Sequence, residues 1–191
     1  MSQAEQPQTY LITPEAVEHR FADVLAAVLD AHPVACVRLD LATRDEARIA
    51  RAADLLREVT HARDVALVVT DKVELAERLG LDGVHLSPGG SVREARKLLG
   101  PDAIVGAHAG TSRHDGMNAG EAGADYVAFD ASAGHDLFAW WTEMIELPVV
   151  AEGGLTPETI QTLAPVTDFF GIGDEIWNTE HPAEALTTLL G

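Results

Sequence analysis

The stretch Ala66–Ser87, ALVVTDKVELAERLGLDGVHLS, carries the pattern that decides the fold. It opens with a short apolar run at Leu67–Val69, continues with apolar residues at helical spacing from Val73 to Leu81, and closes with a second apolar run from Gly83. This pattern predicts a strand, a helix and a second strand. Because strands joined through a helical crossover pair in parallel, the segment indicates a parallel α/β fold.

Polar residues stand where the two strands of this segment end. Thr70 and Asp71 follow the first strand, and His85 and Ser87 lie at the end of the second. In parallel α/β folds the functional groups lie at the carboxyl ends of the strands. We therefore expect the site at that end of the sheet.

The same strand–helix unit recurs along the whole chain. Runs of β-forming residues predict strands that start near Thr9, Val34, Val65, Gly83, Ala103, Ala124, Pro148 and Asp168. Each start is followed by enough residues for one helix before the next. Eight such units predict a compact (β/α)₈ TIM barrel, with residues 1–191 forming a single domain. A doubly wound open sheet is the alternative.

Several helix starts are also predicted from capping patterns. Thr13-Pro14 and Thr156-Pro157 resemble an N-cap followed by proline. Thr43 with Glu46, and Ser91 with Glu94, fit capping boxes.

Composition limits the partners and the compartment. The 191 residues include 31 acidic and 13 basic side chains, which gives a formal charge of −18. Nucleic acid and anionic membranes are therefore excluded as expected partners, because their phosphates would be repelled. No apolar run of membrane-spanning length and no signal sequence at Met1 are evident. With Cys36 as the single cysteine, a cytoplasmic protein is expected.

Two glycine-containing segments follow the last two predicted strands. They are Gly153 with Gly154, and Gly171 with Ile172 and Gly173. Backbone N–H groups in such turns approach a phosphate closely, and TIM barrels often bind phosphate after strands seven and eight. These residues are therefore predicted to bind a phosphorylated small molecule; tight turns alone are the other interpretation. Asp174 and Glu175 follow directly and would repel an anion unless they point away.

Five acidic residues fall at or just beyond predicted strand ends. They are Asp40, Asp71, Asp130, Glu152 and Asp174. Together they predict an unusually negative rim. Such a rim implies more than one metal ion or an unusual ligand, unless some of the side chains turn away into helices or solvent.

Seven segments of the sequence together resemble a known protein family. The segments TYLIT, VRL, VVTDKVELAERLGLDGVHL, IVGAH, AGADYV, PVVAEGGL and GIG occur in this order along the chain. In order and spacing they resemble the thiamine-phosphate synthase/TenI family over nearly the whole sequence. The resemblance implies a small TIM barrel. It also implies an enzyme that uses Mg²⁺ to join a hydroxymethylpyrimidine diphosphate to a thiazole phosphate with release of pyrophosphate, or, in the TenI branch, a thiazole tautomerase.

Only part of the family's catalytic set matches. Arg38 is retained on the second strand, where it could clamp a phosphate or form a salt bridge, but Asp40 stands where the family has lysine. Asp71 matches one carboxylate ligand of Mg²⁺, or could cap the following helix. The second metal carboxylate is missing, because the family's aspartate motif is replaced by Ser87–Gly90.

The later strands depart further from the family. His108 replaces the family's serine and is the candidate acid–base catalyst, whereas Gly110 stands where the TenI branch has histidine. The loop Phe129–His135 lacks the family's lysine, and Glu152 replaces an isoleucine. His85 is interpreted as a packed, hydrogen-bonded barrel residue.

Three functional hypotheses follow. The first is a thiamine-phosphate synthase with Arg38, Asp71 and His108 in its catalytic set. The second is a non-catalytic relative that binds a phosphorylated or heteroaromatic ligand. The third is a tautomerase with His108 as its base.

A possible homo-oligomer interface is the last prediction. Phe138, Trp140 and Trp141 fall on one predicted helix and could face a second copy, although packing inside the protein is the other interpretation.

Overall fold

Eight parallel strands close into a barrel in the computed structural model, which describes residues 6–191. The strands are β1 Gln8–Ile12, β2 Cys36–Leu39, β3 Ala66–Thr70, β4 Gly83–Leu86, β5 Ile104–His108, β6 Tyr126–Asp130, β7 Val149–Glu152 and β8 Phe169–Ile172. Each strand pairs in parallel with the next one along the chain, and β8 pairs with β1. The predicted TIM barrel is confirmed.

The helices surround the barrel. They are α1 Phe21–Ala31, α2 Glu46–His61, α3 Val73–Leu79, α4 Val92–Leu99, α5 Arg113–Glu121, α6 His135–Met144, α7 Pro157–Leu163, α8 Asp174–Trp177 and α9 Pro182–Leu190. Short 3₁₀ turns follow β6 and α7 at Ala131–Ala133 and Ala164–Val166. Within residues 6–191, no helix is long and apolar enough to cross a membrane.

Side-chain alternation along each strand separates two cores. Val37 and Leu39 of β2 point outward into the layer between barrel and helices. Cys36 and Arg38 have the opposite parity and point into the barrel. The interior contains a small apolar cluster made of Tyr10, Cys36, Val68, Tyr126, Ala128 and Val150. Above this cluster, at the carboxyl ends of the strands, the inward positions become polar.

Two of the four capping predictions are confirmed. The hydroxyls of Ser91 and Thr156 accept the N–H groups of Glu94 and Thr159 at the starts of α4 and α7.

The other two are wrong. Thr13 starts no helix, and its hydroxyl instead accepts the backbone N–H of Asp40. The N-cap of α2 is Asp45 rather than Thr43, because the Asp45 carboxylate reaches two N–H groups of the first turn.

The aromatic residues of α6 lie mostly inside the protein. Phe138 and Trp141 are fully buried, and both pack against Phe129 of β6. The predicted interface on these two residues is therefore wrong, since neither side chain can reach a second copy. Trp140 is half-buried beneath the guanidinium of Arg113, whose Cζ lies 4.7 Å from the ring centre.

Candidate active site

The carboxyl end of the barrel contains a buried ion pair between β2 and β7. Arg38 donates from both terminal nitrogens to the two carboxylate oxygens of Glu152, at 3.0 and 3.1 Å. The residues are only 4% and 8% exposed. Burial alone would raise the pKa of Glu152, but Arg38 and His108 outweigh it and hold that pKa well below its usual range. The pair is thus fully ionised.

His85 of β4 extends this pair into a chain of hydrogen bonds. Its Nε2 lies 2.8 Å from Nη1 of Arg38, and its Nδ1 lies 2.8 Å from the Tyr126 hydroxyl. Since a guanidinium only donates, Nε2 must accept and the proton must sit on Nδ1. Burial, reinforced by Arg38, lowers the pKa of His85 well below its usual value. His85 is therefore a neutral, packed residue, as predicted.

The chain ends at a pair of tyrosine hydroxyls inside the barrel. Tyr126 and Tyr10 lie 2.6 Å apart through their oxygens, and both rings are buried. The Tyr126 ring crosses directly over Gly106 of β5, where a Cβ atom would lie 2.0 Å from the ring. Gly106 is thus required for Tyr126 to reach His85.

His108 of β5 lies between two carboxylates. Its Nε2 is 3.1 Å from Asp130, and its Nδ1 is 3.2 Å from Glu152 in the geometry of an ion pair rather than of a hydrogen bond. Glu152 is the largest cause of a raised His108 pKa; partial burial opposes the shift, and Asp130 adds to it. The imidazolium form is stabilised, so His108 is equipped as a proton donor or a cation rather than as a resting base.

Asp71 lies in the loop after β3 and contacts the loop after β4. Its backbone has a φ of 58°, and its carboxylate accepts the N–H and the hydroxyl of Ser87 at 2.8 and 2.6 Å. The cap interpretation is wrong, because the N-cap position of α3 is Lys72 and has no side-chain cap. The Asp71–Ser87 contact joins the loops after β3 and β4.

The glycines after β7 and β8 line a cavity of about 560 Å³. Gly153, Gly154, Gly171 and Gly173 contribute to its wall together with Glu152. The Ile172 side chain is fully buried in the outer core, so only the backbone of this residue could contact a phosphate.

At two of these positions the local geometry favours glycine. A Cβ at Gly171 would lie 2.9 Å from Cβ of Glu152, so the glycine makes room for the ion pair. Gly153 has a φ of 89°, a conformation that favours glycine in the turn after β7.

The two acids that follow β8 have different positions. Asp174 is exposed. The Glu175 carboxylate, in contrast, turns toward the backbone and accepts the N–H groups of Gly173 and Leu155, at 2.8 and 3.2 Å. The sequence predicts that these acids repel an anion unless their side chains point away. The Glu175 side chain does not point away, because its carboxylate contacts backbone N–H groups at the cavity.

A second cavity, of about 480 Å³, opens beside His108. Its wall includes Ser87, Arg93 and Asn118. The imidazole of His108, which is 14% exposed, points instead toward Asp130 and Glu152.

One group of side chains has the composition of a metal site. Ligand atoms of His85, His108 and Glu152 all lie within 4.8 Å of one another. However, the guanidinium of Arg38 already bonds to both His85 and Glu152. A positive charge therefore occupies the place where a cation would compete for these ligands.

The predicted site residues divide into three groups. Arg38 and His108 meet through Glu152, Asp71 contacts Ser87, and the glycines line the adjoining cavity. The Tyr10–Tyr126 hydroxyl pair was not predicted as part of this network. The alternation of side chains along the strands could have predicted this pair. Tyr10 lies opposite Cys36 and Tyr126 lies opposite Gly106, so both tyrosines face the barrel interior, as Arg38 and His108 do two positions further along those strands.

The fold is that of the TIM-barrel class, in which small-molecule sites lie at the carboxyl ends of the strands. The sequence profile described as thiamine monophosphate synthase matches residues 9–167. The chain is 46% identical over 188 residues to a thiamine-phosphate synthase of Rhodospirillum centenum, covering 91% of this chain and 90% of the relative.

One further relative agrees, and one solved structure shows the same fold. A thiamine-phosphate synthase of Erythrobacter litoralis is 40% identical, with 96% of this chain and 94% of the relative covered. The solved thiamine phosphate pyrophosphorylase of Pyrococcus furiosus superposes with a TM-score of 0.82 at 23% identity, covering 96% and 93% of the two chains. This chain belongs to the thiamine monophosphate synthase family.

Proposed function

We propose that this protein is a thiamine-phosphate synthase: it joins a hydroxymethylpyrimidine diphosphate to a thiazole phosphate. In this reaction the carbon–oxygen bond to the diphosphate breaks, pyrophosphate leaves with the electron pair, and the methylene carbon forms a bond to the thiazole ring. The observation that carries the proposal is the 46% identity to a thiamine-phosphate synthase across nine-tenths of both chains. Both substrates are phosphorylated small molecules.

His108 is proposed to act on the departing pyrophosphate. Its imidazole lies at the carboxyl end of β5, and Glu152 and Asp130 beside it favour the protonated form. A cation placed where negative charge develops stabilises the transition state, and its proton can be given to the leaving oxygen. His108 thereby supplies positive charge on a rim that lacks the lysine expected from the family resemblance.

Arg38 is proposed as a positioning residue rather than as a direct phosphate ligand. Both terminal nitrogens are engaged by Glu152 and His85, and the side chain is almost completely buried. Arg38 fixes the Glu152 carboxylate, and Glu152 in turn holds the charge on His108.

Asp71 is proposed as the residue that would hold Mg²⁺. Magnesium usually binds through one or two carboxylates together with substrate phosphates, and Asp71 presents an exposed carboxylate on this rim. Burial is the largest cause of a raised pKa of the Asp40 carboxyl on the same rim, and the Asp71 carboxylate adds to that shift. When bound, the ion would neutralise charge on the departing pyrophosphate.

The thiazole phosphate is assigned to the cavity after β7 and β8. The backbone of Gly153, Gly154, Gly171 and Gly173 forms part of its wall. Glycine turns allow a phosphate to approach backbone N–H groups. The same cavity borders Glu152, which supports binding of the two phosphorylated substrates on adjoining parts of one rim.

The tautomerase hypothesis has less support. It needs a neutral base, whereas the two carboxylates beside His108 favour its protonated form. Complementation distinguishes the proposed activity from the hypothesis of a non-catalytic relative.

The proposal is tested by complementation of a thiamine-auxotrophic strain that lacks its own synthase. Expression of this chain should restore growth without thiamine. His108→Gln should reduce product formation about 10²-fold because it removes the charged proton donor. His114→Gln, which changes an exposed histidine on α5, should grow like the parent and serves as the matched control. Soluble expression without growth would favour the non-catalytic hypothesis.

A further inference from the structure

The Glu175 carboxylate lies on backbone donors that come from two different loops. Oε2 accepts the N–H of Gly173, which follows β8, at 2.8 Å. Oε1 accepts the N–H of Leu155, which follows β7, at 3.2 Å. The side chain is half-buried and forms part of the wall of the glycine-lined cavity.

These donors are of the kind that bind phosphate. Backbone N–H groups that converge from glycine-containing turns form concave anion sites, and a carboxylate satisfies them with the same type of charged oxygen as a phosphate. Glu175 therefore occupies the position that a ligand's anionic group would take at Leu155 and Gly173.

The rest of the cavity wall does not compensate for this negative charge. Among the described residues, the wall contains no lysine, arginine or histidine, but it includes the acids Glu15, Asp40, Glu152 and Asp174. Glu152 is already neutralised by Arg38. A phosphate entering with Glu175 in place would meet a carboxylate at close range and no cation on the wall.

We propose that Glu175 is an internal competitor for the phosphate group: it occupies the Leu155 and Gly173 donors, and phosphate binds only when this carboxylate swings away. The inference rests on the proposed phosphate site after β7 and β8, and it assigns to that site a residue that sets its affinity. Glu175 can leave without moving the barrel, because its side chain has three rotatable torsions and its helix α8 spans only Asp174–Trp177. The consequence is selection against weakly held anions, since a ligand must contribute binding energy elsewhere to displace the carboxylate.

Titration with inorganic phosphate at constant ionic strength tests the proposal. Binding is followed by the amide NMR signals of Leu155 and Gly173 in the full chain and in three variants. Glu175→Ala removes the competitor, and Glu175→Gln removes its charge while keeping its size. Asp174→Asn is the matched control, because it removes one negative charge from the same cavity wall without touching the two donors.

We expect phosphate to bind at least about ten-fold more tightly to Glu175→Ala than to the parent, since removal of a charge a few ångströms away is a large electrostatic change. Glu175→Gln should fall between the two. Asp174→Asn should stay within about three-fold of the parent, because its exposed charge is screened by solvent and salt. The Leu155 and Gly173 signals should move with added phosphate most strongly in Glu175→Ala.

Several results would overturn the proposal. If the Asp174→Asn and Glu175→Ala variants tighten binding equally, general charge rather than competition is responsible. If the parent already binds phosphate as tightly as Glu175→Ala, the carboxylate does not compete, although the phosphate site stands. If no folded variant binds phosphate at these amides, both the competitor and the proposed phosphate site are refuted. Thermal melting of each variant identifies those that are folded.

Discussion

The buried network at β2, β4, β5 and β7 and the glycine-lined cavity after β7 and β8 use carboxylates in opposite ways. In the network Glu152 faces two positive groups, Arg38 and His108, and is almost completely buried. In the cavity Glu175 faces only backbone N–H groups and is half-buried. Removing a partner from the first region leaves a charge without its counterion in the interior, whereas we propose that removing Glu175 frees donors for a phosphate. The network is therefore expected to stabilise the fold, whereas the cavity is expected to change through movement of the Glu175 side chain.

The largest effect is expected from breaking the network at Arg38. Arg38→Leu leaves the Glu152 carboxylate buried without its guanidinium and should cost about 3–5 kcal/mol of unfolding free energy. Chemical denaturation provides the measurement. Arg63→Leu is the control, because it removes an arginine from an exposed pair with Asp30 and should cost much less. Equal losses in the two variants would mean that the buried pair has no special structural role.

A smaller effect is expected from filling the space beneath Tyr126. Gly106→Ala places a methyl group against the Tyr126 ring and should cost about 1–3 kcal/mol by overpacking. Gly120→Ala on α5 is the control: its Cβ would meet only the flexible end of Leu147, and the better helix propensity of alanine should make it neutral or stabilising. Unchanged stability of Gly106→Ala would contradict the tight crossing of Tyr126 over β5.

The hydrogen-bond chain itself is tested by Tyr126→Phe. This change leaves the Nδ1–H of His85 without its acceptor and should cost about 1–2 kcal/mol. Tyr10→Phe removes the next hydroxyl along but keeps the acceptor of His85, so its loss should be smaller. A reversed order in denaturation experiments would refute the assigned direction of the chain.

The charge on His108 has a pH signature. Its pKa, followed by the ring-proton NMR signals, should lie above 6.5 and should fall in Asp130→Asn. Because the folded-state pKa is raised, the stabilisation from His108 is complete below its unfolded-state pKa and is lost as pH rises through the folded-state pKa. The stability difference between the parent and His108→Gln should therefore shrink at alkaline pH. A constant difference across this range would contradict an ionised His108.

The barrel could be predicted because its signals are local and repeated. Each strand start falls within two residues of its prediction, from β1 at Gln8 to β8 at Phe169. The wrong caps at Thr13 and Thr43 have a different origin. In both cases a threonine with a helix-start pattern bonds to another backbone group, and that choice depends on neighbouring loops rather than on spacing.

The site was predictable only where strand parity decides it. His108 and Glu152 are the last residues of β5 and β7, and both side chains face into the barrel. Their contact therefore follows from closure of the barrel. Asp71 and Glu175 lie in loops, and their partners Ser87 and Leu155 come from the neighbouring loop. Such contacts are set by three-dimensional loop geometry, which a pattern of residue types does not contain.

The most direct test of the account is the coupling reaction with purified protein. With hydroxymethylpyrimidine diphosphate, thiazole phosphate and Mg²⁺, we predict thiamine phosphate and pyrophosphate in equal amounts, and a rate about 10²-fold lower for His108→Gln. Absence of both products from folded protein would contradict the proposed activity. Equal rates for the parent and His108→Gln would contradict the role of the buried charge network in it.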